Sequence, residues 1–312
     1  MLVLGEKYRF TELELGRLHK SFGSISTVSY RDTDSSQVIA EIESILQQDK
    51  FTIIVLNTKA KVDDAIIKYL TNLKLDNSYV NIRLISIEHF LEEYLCKCYI
   101  PEDNTDLHYL DTIQGYTRFQ KIQKRLVDIV AMVALFTIYP FVRYVANKKT
   151  QEQSPGNLYF KQLRVGLNNQ EFECIKFRSM IENAEKNGAQ FASEDDPRVF
   201  KWGETMRKTR IDEIPQVFNI LKGEMSLIGP RPERRYWIEK DFEENIPYYN
   251  YRHIVTPGIT GWAQVMYPYG DGIEDARQKL MYDLYYIKYW SIWIEMKVIY
   301  KTVLVVLGKK GI

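Results

Sequence analysis

The sequence predicts an α/β protein in two parts: a small Rossmann-like α/β unit, then a mainly helical region with one membrane-dipping helix and amphipathic helices in the interface. Three observations predict it. Short β-rich runs alternate with amphipathic stretches through the first third of the chain, and a single apolar run with basic flanks and an internal proline follows. The 22 tyrosines and 5 tryptophans crowd toward the C-terminal third, as suits rings that sit half wet at a membrane boundary.

The β-rich runs are residues 25–30, 51–57 and 80–87, and the amphipathic stretches are 36–48, 62–73 and 88–95. That rhythm is the βαβ signature of a mostly parallel sheet. No Gly-rich phosphate loop follows any of these strands, so the first unit, taken as residues 1–114, is assigned no nucleotide site and is read as a structural or regulatory platform.

The second domain, 115–312, opens with Lys121, Lys124 and Arg125, continues as an apolar run over 126–142, and closes that run with Arg143, Lys148 and Lys149. Pro140 lacks an N–H and its ring clashes one turn back, so an unbroken helix is expected only over 126–139. Such a helix rises roughly 21 Å at about 1.5 Å per residue, short of a hydrocarbon core of about 30 Å. Positive flanks prefer the cytoplasm, and here both flanks are positive. A re-entrant helix over about 122–146, entering one leaflet and breaking at Pro140, is therefore expected in preference to a tilted span or a buried core helix. Asp128 stands one turn after Lys124 and Arg125 and is expected to pair with them at headgroup level, so Lys124, Arg125, Asp128 and Pro140 form the expected membrane anchor. At the C-terminus, 282–307 carries Tyr, Trp and Ile at short spacing, which suits interfacial helices and core packing equally.

Composition excludes several functions. Lys and Arg number 42 against 41 Asp and Glu, so no global basic field gathers nucleic acid. Cys96, Cys98 and Cys174 form no disulfide framework and complete no zinc spacing with the four histidines, which points to a reducing cytoplasm. The first thirty residues mix charges throughout and lack the apolar stretch of a secretory signal.

Chemistry concentrates between 172 and 261, where polar residues, glycines and prolines crowd together. Downstream of Asp212 and Glu213, the apolar Ile214, Val217, Phe218 and Leu221 recur at helical spacing; Pro215 suits a first turn and Gly223 a C-terminal cap. The acidic pair thus sits at a helix start, where adjacent acids are commonly mere capping. An aspartate near pKa 3.9 is already ionised at neutral pH, so activating it as a nucleophile is not the difficulty. Repulsion is: a carboxylate about 4 Å from a unit negative charge costs about 4 kcal/mol at an effective dielectric of 20, nearly a thousandfold in rate. An acidic nucleophile aimed at a diphosphate must be surrounded by cations. Lys176, Arg178, Arg207, Arg210 and Arg231 can supply them on the substrate side, with a divalent ion on the second carboxylate completing the screen.

Six strings share an order and spacing with one family: KRLVD at 124–128, FKQLRVG at 160–166, KFRSM at 176–180, RIDEIPQ at 210–216, NILKGEMSLIGPRP at 219–232 and PGITGWAQV at 257–265. From about residue 119 to the C-terminus the chain resembles the monotopic bacterial sugar transferases, the polyprenyl-phosphate phosphoglycosyl transferases that begin capsule, exopolysaccharide, O-antigen and glycoprotein glycan assembly. The resemblance implies a re-entrant helix kinked at Pro140 and a monotopic place on the cytoplasmic face of the bacterial inner membrane, in contact with phospholipid. It implies a UDP-sugar donor, a polyprenyl (undecaprenyl) phosphate acceptor and a covalent mechanism in which Asp212 attacks the phosphorus attached to the sugar and UMP leaves. Glu213 matches the family's Mg2+-binding carboxylate, and Arg231 lies in its Gly-Pro-Arg-Pro loop. Two departures stand out. Tyr139 occupies the place before the kink proline where members often carry Ser, and the N-terminal unit resembles the cytosolic α/β segment of longer members without their preceding spanning helices. Rival readings are a membrane-anchored scaffold that does not turn over and a hydrolase of nucleotide sugars. The sugar and the oligomeric state, a homodimer included, stay open.

Overall fold

The first strand of the chain escapes a periodicity reading, because three apolar residues are too few to show alternation. That strand, β1 (Leu2–Leu4), is nevertheless one of the two inner strands of the N-terminal sheet. In the computed structural model, which describes residues 1–30, 34–48, 51–58, 62–76, 82–104, 107–184, 196–268, 270 and 272–308, the chain forms two compact units, Met1–Tyr99 and Ile100–Ile312.

In the first unit β1 is followed by α1 (Glu12–Phe22), whose start is fixed by a capping box between Thr11 and Glu14. Then come β2 (Ser26–Val28), α2 (Ser35–Gln48), β3 (Ile53–Leu56), α3 (Asp64–Leu75) and β4 (Arg83–Ser86). The expected strand at 80–87 begins in residues that lie outside the described ones. All pairings are parallel, in the order β2-β1-β3-β4, with Leu2 opposite both Ser26 and Ile54. Val38, Ile42 and Leu46 recur every fourth residue on α2 and pack on Leu2, Leu4, Val28 and Ile54. Each such side chain contributes about 1.5–3 kcal/mol when fully buried. The last stretch of the unit is α4 (Ile87–Phe90), which runs on as a π-helix over Leu91–Leu95.

The sequence reading draws the domain boundary at 114, whereas the compact units divide after Tyr99. The reason is packing: Arg277 donates to the Ile100 carbonyl at 3.0 Å, the Tyr109 ring lies 4.6 Å from that of Tyr248, and Ile113 is buried. Tyr109 belongs to α5 (Leu107–Thr112).

The apolar run forms α6 (Arg118–Gln153), 36 residues long and capped by Thr117 with Gln120. It is the one described helix long and apolar enough to cross a membrane. Contrary to the expected break, the helix continues through Pro140. Proline in a helix costs about 3 kcal/mol, and tertiary packing on either side offsets it. The Tyr139 ring stacks on Phe177 and meets Phe218 edge-on, and its hydroxyl lies 2.6 Å from that of Tyr159, which also accepts from Arg143 Nε at 3.0 Å. The Tyr139 hydroxyl therefore serves Tyr159.

The anchor residues also differ from expectation. Asp128 forms no ion pair with Lys124 or Arg125; it is buried, and its Oδ1 accepts from the Leu227 N–H at 2.7 Å. Lys124 donates to Glu295 at 3.0 Å and Arg125 to the Ile220 carbonyl at 2.9 Å. Spacing along the helix makes the expected pair sterically reachable, but burial makes unsatisfied backbone and carboxylate groups more demanding partners. Lys124, Asp128, Met132, Tyr139, Ala146 and Thr150 form a buried stripe facing the unit, while Ile122, Leu126, Val130, Val133, Phe141 and Tyr144 are exposed.

Beyond α6, β5 (Tyr159–Val165) and β6 (Glu171–Phe177) form an antiparallel hairpin. Next come α7 (Lys201–Lys208), a 3-10 turn over Ile211–Gln216 and α8 (Val217–Lys222). Strand β7 (Ser226–Ile228) pairs in parallel with β8 (Gly258–Thr260), and between them lie α9 (Arg235–Trp237), α10 (Glu243–Asn245) and a 3-10 helix over Tyr249–Ile254. The chain ends with α11 (Trp262–Met266), α12 (Ile273–Lys288) and α13 (Ile292–Leu307). The aromatic C-terminal stretch divides between a buried helix and a largely exposed one. Leu280, Tyr282, Leu284 and Tyr286 of α12 are core, whereas α13 buries Ile294, Glu295 and Val298 and exposes Trp293, Met296, Tyr300, Val303 and Leu307.

Glu295 joins α13 to α6. Fully buried, it accepts from Lys124, from the Trp290 indole at 2.8 Å and from the Tyr286 hydroxyl. Removing it strands a buried ammonium, which costs about 3–5 kcal/mol. Glu295→Ala is expected to lose that much stability in a denaturant titration, and Lys124→Met combined with Glu295→Leu to recover most of it.

Candidate active site

Three elements converge on the acidic pair. Strand β6 delivers Lys176 near its end, in register with Phe160 of β5. Its place is set by Asn219 of α8, fully buried, whose amide donates to the Glu173 carbonyl at 2.7 Å and accepts from the Ile175 N–H at 3.1 Å. Helix α7 ends at Lys208 with Arg207 in its last turn, and the chain reverses through Arg210, whose φ of 56° is left-handed. A non-glycine residue there costs on the order of 1 kcal/mol or more, and such strain persists where surrounding contacts over-determine it. The reversal starts the 3-10 turn that carries Asp212 and Glu213, and α8 ends at Gly223 with φ 80°, the expected glycine cap.

The third element is the loop after β7. Glycines make its seat: a Cβ on Gly229 would stand 2.5 Å from the Thr256 carbonyl oxygen, and one on Gly258 would stand 2.0 Å from the Gly229 nitrogen. Only bare backbone permits β7 and β8 to approach so closely. The loop then projects Arg231 toward Glu213.

Glu213 is the hub. Its Oε1 accepts from Lys176 Nζ at 2.9 Å and from Arg231 at 3.1 Å, and its Oε2 accepts from Arg210 at 3.3 Å. The carboxylate itself is buried, but 19% of the Lys176 side chain, 26% of Arg210 and 38% of Arg231 face solvent. The cations thus roof the acid and show their outer sides to a ligand. Burial alone would raise the Glu213 carboxyl; Lys176, Arg231 and Arg210 reverse that and hold it well below the usual carboxylate range.

Asp212 is the opposite case. It is buried, and its Oδ1 accepts no hydrogen bond. Burial, with the neighbouring Glu213 charge adding to it, pushes its carboxyl up to about 6, against the pull of Lys176, Arg207 and Arg231. Two adjacent acids therefore divide their roles: one is saturated with cations, the other keeps a bare oxygen. A buried acceptor without a partner costs roughly 1–3 kcal/mol, so the site is built at the expense of stability.

Of the five cations expected on the substrate side, Lys176, Arg210 and Arg231 touch Glu213, and Arg207 acts on Asp212 by charge. Arg178 is a correction. Its guanidinium is buried against the end of α6, donating to the Asn157 carbonyl at 2.6 Å, the Ser154 hydroxyl at 2.7 Å, the Met180 carbonyl at 3.1 Å and the Ser154 carbonyl. Strand alternation would put Lys176 and Arg178 on one face, but β6 ends at Phe177 and Arg178 lies beyond it, free of that alternation. Arg252 is missing from the sequence reading altogether. It lies in none of the six strings, and nothing in a lone arginine beside a histidine marks it as buried.

The bacterial sugar transferase family model matches residues 119–309. The chain is 47% identical over 188 residues to the UDP-N-acetylgalactosamine-undecaprenyl-phosphate N-acetylgalactosaminephosphotransferase of Aeromonas hydrophila, covering 60% of this chain and 44% of that protein. It is 33% identical to the UDP-glucose:undecaprenyl-phosphate glucose-1-phosphate transferase of Xanthomonas campestris, over 79% of this chain and 56% of that one. With the undecaprenyl-phosphate galactose phosphotransferase of Salmonella typhimurium the identity is 30%, over 91% and 63% respectively. The chain spans about half the length of these relatives.

The raised Asp212 carboxyl has a consequence for stability, with a definite sign. Its folded pKa of about 6 exceeds an unfolded value near 3.9, so the fold favours the protonated form and ionisation destabilises it. In metal-free protein Asp212→Asn should therefore gain on the order of 1–3 kcal/mol in denaturant titrations above pH 6, and the gain should vanish below about pH 4. An equal gain at both pH values would contradict the assignment.

Proposed function

The chain belongs to the bacterial sugar transferase family, and from that premise we propose that it transfers a sugar-1-phosphate from a UDP-sugar to undecaprenyl phosphate, releasing UMP. The observation that carries the proposal is the asymmetry of the acidic pair: a buried, unpartnered carboxylate oxygen on Asp212 beside a Glu213 bound by three cations. In the first step an Asp212 oxygen forms a bond to the phosphorus attached to the sugar, the bond from that phosphorus to the bridging oxygen breaks, and UMP departs. In the second, an oxygen of undecaprenyl phosphate attacks the same phosphorus and the bond to Asp212 breaks. Lys176, Arg210 and Arg231 face the diphosphate with their exposed sides and lower the repulsion it meets, while Arg207 keeps Asp212 ionisable.

A Mg2+ ion takes one or two carboxylates together with substrate phosphates, and at Glu213 it would have to displace one of the three cations that now occupy both oxygens. Glu213 would hold it, with the free Asp212 oxygen adjacent, and the ion would neutralise diphosphate charge. Among the described residues no three acids, cysteines or histidines stand together, so such an ion would draw the rest of its shell from the substrate.

The reading of membrane placement is supported by α6. At about 1.5 Å per residue, its 36 residues would run roughly 54 Å. Yet both ends are tied to the same unit, the first by Lys124 and Arg125, the last by the Arg178 bonds to Ser154. A helix with both ends held on one body favours monotopic insertion over a full span, with α13 in the interface and the catalytic region at the cytoplasmic face of the inner membrane. The N-terminal sheet we read as a Rossmann-like platform, structural or regulatory.

Three measurements test these readings. Purified protein with undecaprenyl phosphate, Mg2+ and a panel of UDP-N-acetylgalactosamine, UDP-glucose and UDP-galactose should release UMP from at least one donor. Sugar-1-phosphate accumulating without lipid would instead indicate a hydrolase, and no turnover with any donor a scaffold. Asp212→Asn should lose roughly a thousandfold or more and Arg231→Gln about a hundredfold, with a phosphosugar adduct on wild type detected by intact mass. Trp293→Ser with Tyr300→Ser should weaken partition into anionic vesicles at least severalfold.

A further inference from the structure

The Arg231 loop has few ways to be held. Pro230 and Pro232 have no N–H and their rings fix φ near −65°, so the orientation of its peptide planes depends on what its carbonyl oxygens bind. Four successive carbonyls are each engaged, by donors from three different parts of the fold. The Pro230 oxygen accepts from the Gly258 N–H at 3.0 Å, that of Arg231 from Arg252 at 2.9 Å, that of Pro232 from Arg164 at 3.2 Å, and that of Glu233 from the Val165 N–H at 2.8 Å.

Two of these four donors are guanidinium groups with their own supports. Arg252 is 5% exposed, donates to the Tyr249 hydroxyl at 2.7 Å, and forms an ion pair at 2.7 Å with Asp283 of α12, itself buried. A charge buried this deeply is expensive unless paired, and Asp283 supplies the pair. Arg164 lies 3.6 Å from Glu233 and donates to the Gln162 side chain. Neither guanidinium contacts Asp212 or Glu213 in the structure.

We infer that Arg252, braced by Asp283 and seconded by Arg164, is a positioning residue that fixes the Arg231 peptide plane and so aims the Arg231 guanidinium at Glu213 and the donor diphosphate. A donor that satisfies only the carbonyl would not suffice. Arg252 spans a phenol, a carboxylate and a main-chain oxygen at once, which a planar fork can do and an ammonium cannot match in geometry. The kinetic part of this inference rests on the proposed transferase activity; the structural part does not.

The test is a double-mutant cycle in the full-length protein, with Arg252→Lys placed in wild type and in Arg231→Ala, and UMP release measured with the active UDP-sugar. Arg252→Lys should lower kcat/KM about 10- to 100-fold when Arg231 is present, since misplacement near 1 Å costs about that much. In Arg231→Ala the same change should cost less than about threefold. Equal losses in both backgrounds would overturn the inference. Hydrogen exchange of the 226–234 backbone, read in the same samples, should rise in Arg252→Lys while the melting temperature of the protein holds; unchanged exchange would also overturn it. If Arg252→Lys fails to fold, Arg164→Lys serves in the same cycle with the same criteria. Should wild type release no UMP from any donor, the activity reading fails alone and the exchange experiment still decides the role of Arg252.

Discussion

The candidate active site depends on one electrostatic arrangement, a buried glutamate carrying three cations. Glu213 could not remain ionised at its depth without Lys176, Arg210 and Arg231, and those side chains would repel one another without Glu213 between them. Each comes from a different piece of chain: a strand, a left-handed turn and a proline-bounded loop. The carboxylate is therefore as much an assembly point as a chemical group. Its saturation is also what leaves Asp212 as the acid with a bare oxygen, because the available donors are already committed one residue away.

Much of the surrounding fold serves to hold those three pieces still. Asn219 pins β6 to α8, glycines at 229 and 258 bring β7 against β8, and bonds to consecutive carbonyls restrain the Arg231 loop. Preorganised cations matter most where charge must be screened at the moment of reaction, since a flexible cation would have to be ordered then. The cost appears as strain at Arg210 and as an unsatisfied buried acceptor on Asp212.

The long apolar helix is built on the same plan. Polar residues within or beside it, Lys124, Arg125 and Asp128, turn inward to a buried carboxylate, a carbonyl and an N–H of the catalytic unit. Its other face and that of α13 present apolar side chains outward. Lys124 with Glu295 links the two helices, so the apolar surface they expose and the core beneath the acidic pair share a connection.

The sequence by itself determined the parallel α/β rhythm of the first unit, the apolar helix, the acidic pair at a helix start with its glycine cap, and a set of five candidate cations, three of which the structure brings to Glu213. Those features rest on local pattern, on periodicity, capping and motif spacing, which a linear chain displays. Tertiary structure alone decided that β1 lies inside its sheet, that α6 runs through Pro140, that Arg178 clamps a helix end while Asp128 holds a strand, and that Arg252 lies under the Arg231 loop. The reason is common to all four. A strand of three residues, a proline offset by packing and a charged side chain looking for a partner have their energies set by neighbours distant in sequence, and burial chooses among partners that spacing leaves equal.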